Sequence, residues 1–216
     1  MRNSIETLYG TKQGKELVIL AGGYSVNDFR YADFRNCEIM AINFNFLNVD
    51  IDYYIHVDKY LEQWYEMLRD LGYEFKLIAF DKTASDLTNY TFTADGYSHT
   101  TPYAVKIALD MGYDKIYLYG ADYTGDPKHP HYYNREGEWL LMSDFELRRR
   151  YHTFKERVLD MAMDGKYDNI LEEKYKKRML AEGIFDITKD YNREHFETPR
   201  VINMSKISRL TKFKKG

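Results

Sequence analysis

Short apolar runs separated by polar stretches recur along the chain at residues 17–21, 39–43, 53–57, 75–79 and 116–119, with a weaker one at 201–204. Each has the length of a strand and enough continuous apolar character to be buried on both faces, as in a parallel sheet. Between several of them the period changes. Residues 59–71 carry Leu61, Trp64, Tyr65, Leu68 and Leu71 at helical spacing and end at Gly72, a C′ glycine. Residues 102–111 follow Thr100 and Thr101, either of which can cap a helix, and stop at Gly112. Strands alternating with helices predict an α/β fold: a Rossmann-like, doubly wound, mainly parallel sheet with helices on both faces. Residues 83–98 are polar and rich in Thr, Asp and Asn, and residues 124–134 hold Gly125, Pro127 and Pro130, so both read as loops. Residues 143–164 and 170–182 read as helices split near Gly165, and 143–182 is expected to form a helical lid or buttress within one domain spanning 1–216.

Composition narrows the picture modestly. A chain of 216 residues is long enough to bury a single core. Its one cysteine, Cys37, lies in the apolar run CEIMAIN, has no internal partner and reads as an inert thiol in a reducing compartment. The first sixteen residues lack the apolar core of a signal peptide, and no run approaches the roughly 20 residues of a membrane span, so a soluble cytoplasmic protein is expected. Lys and Arg number 31 against 34 for Asp and Glu, and a net charge of -3 gives no general pull toward nucleic acid or anionic membranes. The end of the chain is locally basic, with Lys206, Arg209, Lys212, Lys214 and Lys215, and reads as a solvated terminal helix that could also contact a phosphate or a nucleic-acid acceptor. Tyrosine is abundant at 21 residues, suited either to stacking on sugars and bases or to filling space around the core. Nothing in the sequence sets an oligomeric state.

The strand ends carry the candidate chemistry. In ELVILAGGYSVND the first run flows into Gly22, Gly23, Tyr24 and Ser25, with a helix cap expected at Asn27 or Asp28. Glycines there would let bare N–H groups approach a phosphate. Asn43 and Asn45 follow the second run, Asp58 the third, and Gly120 with Asp122 the run at 116–119. A single Asp or Asn in such a place is ordinarily a cap. Four sets on the edge where α/β sheets bind ligands point to one shared site. The loop GADYTGDPKHPHYYN adds Asp126, His129, His131, Tyr132 and Tyr133 to that rim. His131 or His129 could take a proton from an acceptor hydroxyl, and Tyr132 or Tyr133 could steady a leaving phosphate. His129-x-His131 matches no standard metal-ligand spacing, so no metal site is assigned. The chain has no GxxxxGK(S/T) phosphate loop, no GxSxG elbow, no HExxH helix and no GxGxxG fingerprint.

The segments ILAGGYSVNDF, IMAINF, YYIHVDKY and TTPYAVKIALDMGYDKIYLYGADY resemble the bacterial sialyltransferases that use CMP-sialic acid, with the related motility accessory factor and pterin pyrophosphokinase-like group. In that superfamily the first strand ends in G-x-G-P-S, the second in an asparagine, and a helix runs into A-x-x-x-G-Y-x-x-I-Y-L-x-G-x-D. The closing VINMSKISRL is similar to the family's last strand and its continuation. The resemblance implies that Gly22–Ser25, Asn43, Thr100 and Thr101 contact a nucleotide and its phosphate, that Asp122 shapes the site, and that a loop histidine is the base. It implies metal-independent transfer with no cofactor beyond the nucleotide-sugar donor. Tyr24 stands where the family has proline, and the tyrosine expected after G-x-D-F is displaced to Tyr123. The expected function is therefore glycosyl transfer from a nucleotide-sugar to an acceptor hydroxyl. The alternatives are a pyrophosphokinase with Mg²⁺ on Asp58, Asp122 or Asp126, and a nucleotide-binding or interaction protein without catalysis.

Overall fold

The computed structural model describes residues 2–43, 49–58, 61–93, 96–97, 99–123 and 190–216. The chain divides into two compact units, Met1–Leu141 with Thr188–Gly216, and Met142–Ile187. The second unit, which contains the whole of the expected lid at 143–182, lies outside the described residues, and so does the loop 124–134.

The described residues build one all-parallel, nine-stranded sheet: β1 (Asn3–Ser4), β2 (Glu16–Leu20), β3 (Glu38–Ile42), β4 (Tyr53–His56), β5 (Lys76–Phe80), β6 (Tyr90–Phe92), β7 (Lys115–Tyr119), β8 (Val201–Asn203) and β9 (Lys214–Lys215). Their spatial order is β1-β6-β5-β4-β3-β2-β7-β8-β9. From β2 the chain moves outward strand by strand to β6, and then returns to place β7 on the other side of β2. This is an α/β, Rossmann-like, doubly wound arrangement whose direction reverses between β2 and β7.

The two helices lie on opposite faces, as the alternation of side chains along a strand requires. Helix α2 (Thr100–Met111) is buried along most of its length and packs on β2, β3 and β4, where Leu17, Ile19, Met40 and Ile55 join its core cluster. Helix α1 (Glu62–Asp70) covers the other face, with the Tyr65 ring 5.3 Å from Tyr54 and 5.1 Å from His56. Both stop at glycines in the left-handed region, Gly72 at φ 87° and Gly112 at φ 93°. Among the described residues no helix is long and apolar enough to cross a membrane.

Several sequence expectations change. No α-helix follows β2; Tyr24–Asp28 is a 3-10 turn, so neither Asn27 nor Asp28 is an α-helix cap. His99, not Thr100 or Thr101, is the N-cap of α2, and both threonines lie in its first turn. Residues 83–98 are not wholly a loop, because β6 pairs with both β5 and β1 there. The basic tail is extended rather than helical: Lys214 and Lys215 pair with Ile202 and Asn203.

The N-terminal edge of the sheet is held by charge pairs. Lys12 and Lys15 approach Glu38 at 2.8 and 2.9 Å, and the Tyr113 hydroxyl donates to the same carboxylate. Burial alone would raise the Glu38 carboxyl, but these three donors outweigh it and hold the group at about 2. Beside it, Lys115 and the Tyr117 hydroxyl donate to Glu16 at 2.8 and 3.1 Å. The Cys37 thiol contacts Glu16 at 3.9 Å and is pushed upward by burial and by that carboxylate, which keeps it unreactive.

Candidate functional site

At the opposite edge, the ends of β2 and β7 come together at the reversal point. The Gly23 N–H donates to the Gly120 carbonyl at 2.8 Å. A Cβ on Gly23 would lie 2.4 Å from that oxygen and 2.8 Å from Asp122 Oδ2. Gly120 adopts φ 70°, and a Cβ there would strike the Ala21 carbonyl at 2.3 Å. Glycine is needed at both positions because two strand-end turns pack backbone against backbone.

Asp122 then ties three strand ends into one unit. Its Oδ2 accepts the Ser25 N–H at 2.8 Å, and its Oδ1 accepts the Ser25 hydroxyl and the Ser205 hydroxyl, the latter at 2.6 Å. Ser25 Oγ in turn accepts the Gly120 N–H at 3.1 Å. Beyond β8, Asn203 accepts the Ser205 N–H at 3.1 Å and donates to Ser208 Oγ and the Leu210 carbonyl, both at 3.1 Å. Ser208 donates to the Ala121 carbonyl at 2.5 Å. All five side chains, Ser25, Asp122, Asn203, Ser205 and Ser208, are buried and hydrogen-bonded, as buried polar groups must be.

This geometry revises the expected phosphate cradle. A carboxylate of the protein already takes the Ser25 N–H, and Gly23 donates within the fold. The N–H groups of Gly22 and Tyr24, on either side of Gly23, are the donors of this turn that neither Asp122 nor the Gly120 carbonyl takes. Asp122 itself serves structure: three of the four lone-pair positions of its carboxylate are taken by Ser25 and Ser205.

On the other side of β2, Asn43 ends β3 in the left-handed region at φ 56°. Its N–H donates to the Ile55 carbonyl at 3.1 Å, and its own carbonyl accepts the Tyr65 hydroxyl at 3.2 Å. Its side chain reaches the first turn of α2, where Thr100 Oγ1 donates to Asn43 Oδ1 at 3.5 Å. The first turn of α2, with Thr100 and Thr101, thus stands over the β3 end, and its N–H groups carry the positive end of the helix dipole. Asp58, after β4, is half-buried; burial raises its carboxyl, and its carbonyl accepts from His56 Nδ1 at 2.9 Å. His56 is buried, and burial lowers it to about 4, so it is neutral.

A second cluster was invisible in the sequence. His99 Nδ1 lies 3.2 Å from Asp190 Oδ2, and His99 Nε2 lies 2.8 Å from the Tyr123 hydroxyl. The Tyr123 and Tyr191 hydroxyls are 2.8 Å apart. Tyr123 sits directly after Asp122, also in the left-handed region, at φ 51°. Asn43 and Tyr123 are the non-glycine residues with positive φ among those described, and they flank the reversal point from β3 and β7.

The structure therefore brings Gly22, Gly23, Ser25, Asn43, Thr100, Thr101, Gly120 and Asp122 to one edge, together with the Tyr24 backbone. Asp58 lies on the same edge at the end of the next strand, β4. Asn45, Asp126, His129, His131, Tyr132 and Tyr133 lie outside the described residues. No protein-family model, no curated protein and no solved structure matches this chain at a significant level.

Proposed function

We propose that the chain is a glycosyltransferase that binds a nucleotide-sugar at the reversal point between β2 and β7 and passes the sugar to an acceptor hydroxyl. The observation that carries this reading is the convergence there of the Gly22–Ser25 turn, Asn43 and the first turn of α2. Ligands of doubly wound sheets bind in the crevice outside the strand C-termini at such a reversal. The N–H groups of Gly22 and Tyr24, and those of Thr100 and Thr101 at the positive end of α2, suit a phosphate. The Asn43 amide, beside Thr100 at the strand end, suits a ribose or base. A histidine at the rim would take the acceptor proton as the sugar–phosphate bond breaks. With three of its four lone pairs taken within the fold, Asp122 is a poor ligand for Mg²⁺, which supports this reading over Mg²⁺-dependent pyrophosphoryl transfer.

The test has two arms. Thermal melts with CMP, UDP, GDP and ADP should show one nucleotide raising stability, by about 2.7 kcal/mol at 100 times its dissociation constant. Incubation with the matching sugar nucleotides and a set of hydroxyl acceptors should give a glycoside and free nucleotide, in the presence of a chelator. Stabilisation without product from any donor would favour a binding protein, and Mg²⁺-dependent release of AMP from ATP with transfer of its pyrophosphoryl group to a hydroxyl would favour the pyrophosphokinase reading.

A further inference from the structure

We propose that Asp190, His99 and Tyr123 form the proton relay of this site, with Tyr123 meeting the acceptor and the His99–Asp190 pair acting through it. The proposal rests on the glycosyl-transfer reading and names the histidine that the reading leaves open.

Three independent features support it. The first is direction. Asp190 Oδ2, 3.2 Å from Nδ1, fixes the Nδ1–H form of a neutral imidazole, which leaves the Nε2 lone pair facing the Tyr123 hydroxyl at 2.8 Å. The Tyr123 O–H therefore donates to His99, and its oxygen accepts the Tyr191 O–H on one lone pair, with the other open to an acceptor. The second is backbone strain. A tyrosine at φ 51° is disfavoured by its Cβ, and such residues persist where the surroundings hold them for a purpose. Here the hydroxyl bonds to His99 and Tyr191 hold it. The third is place. His99 precedes Thr100, which bonds Asn43, and Tyr123 follows Asp122, so the relay bridges the two sides of the proposed donor site.

Among the described residues, Asp190, Tyr123 and Tyr191 face the His99 ring from neighbouring elements. Burial pushes the Tyr123 phenol upward, against the opposing effect of the Tyr191 and Thr101 hydroxyls, so it rests as a neutral hydroxyl rather than a phenolate. A neutral hydroxyl suits a shuttle. As the acceptor oxygen bonds the anomeric carbon, the bond from that carbon to the phosphate oxygen breaks and its electron pair stays with the nucleotide. The acceptor proton passes to Tyr123 Oη while the proton of Tyr123 passes to His99 Nε2. The imidazolium, steadied by Asp190, then returns its proton to water.

The test uses the full chain. Long-range ¹H–¹⁵N spectra of histidine-labelled protein should show neutral His99 protonated at Nδ1, and Asp190→Asn should abolish that preference. An Nε2–H form in the wild type overturns the relay whatever reaction the protein performs. With CMP-sialic acid as donor and lactose as acceptor, His99→Gln and Tyr123→Phe should each lower kcat about 100-fold. KM for the donor should stay within about twofold, and the double variant should be little worse than either single one, as expected for groups acting as a unit. Retained thermal stabilisation by CMP in Tyr123→Phe, which keeps the ring, separates lost proton transfer from lost folding. An active wild type with an equally active His99→Gln overturns the relay alone, as does turnover lost in His131→Ala but kept in His99→Gln. A wild type that turns over neither this pair nor any other donor overturns the glycosyl-transfer reading, and the relay's role with it.

Discussion

The two edges of the same sheet carry charge in different ways. At the N-terminal edge, Glu38 is matched by Lys12 and Lys15, and Glu16 by Lys115, so each carboxylate faces a cation and the network closes on itself. At the C-terminal edge, Asp122 is held by two hydroxyls and a backbone N–H, and around it the chain accepts two left-handed non-glycine residues. The first arrangement stabilises the fold and offers nothing to a ligand. The second fixes a rigid floor with neutral donors and leaves Asn43, the α2 terminus and the His99 cluster around it.

The contrast can be broken most forcefully at Asp122. Asp122→Ala strands Ser25 and Ser205 in a buried setting and should cost about 3 kcal/mol, since bonds to a charged acceptor contribute about 1.5–3 kcal/mol each. Urea unfolding would read this, and nucleotide-induced stabilisation should vanish with it. A loss below about 1 kcal/mol would mean that Asp122 is not the tie.

Gly23→Ala follows, at about 2 kcal/mol, because its Cβ must displace the Gly120 backbone or Asp122. Its melting temperature should fall, and a second substitution that only shortens a surface side chain near β9 should not reproduce the effect.

Glu38→Gln tests the other edge. It should cost about 1 kcal/mol near neutrality, as one charge-assisted network is weakened, and leave nucleotide binding unchanged. Because the folded carboxyl is lowered from 4.5 to about 2, its stabilising contribution is present above pH 4.5 and is lost as pH falls toward 2. Melting temperatures across that window should therefore slope more steeply in the wild type than in Glu38→Gln.

His56 gives a smaller, separable signal at the C-terminal edge. Its folded value is lowered from 6.5 to about 4, so the neutral ring contributes stability above pH 6.5 that fades toward pH 4. His56→Gln should remove that portion of the acid slope and leave the lower one. Least of all, Asn43→Gly should change stability by less than about 1 kcal/mol, because glycine adopts φ 56° freely, while weakening nucleotide binding through the missing amide.

The parts legible in the sequence were those written in continuous residues. β2, β3, β4, β5 and β7 each carry a run of apolar residues buried on both faces, and their boundaries were read to within a residue or two. β6 escaped because three residues, Tyr90–Phe92, in a Thr-rich stretch show no period of their own, and their pairing is supplied by β5 and β1. The two-residue edge strands β1 and β9 carry still less signal. Within the site, Gly23 and Gly120 were visible as glycines, but their reason was not: they serve contact with each other. His99 and Asp190 lie far apart in the chain, so no local pattern links them; the left-handed Tyr123 gives no sequence signal either, since tyrosine rarely adopts that conformation.

The Tyr123–Tyr191 contact has a consequence for how this protein can change over evolutionary time. Tyr123 and Tyr191 stand 68 positions apart in the chain, yet their hydroxyls lie 2.8 Å from one another. A segment whose two ends meet can be lengthened, shortened or exchanged with little effect on the register of the sheet beneath it. Changes of length between the two tyrosines would thus leave their hydroxyl pair, and the imidazole bonded to Tyr123, in place.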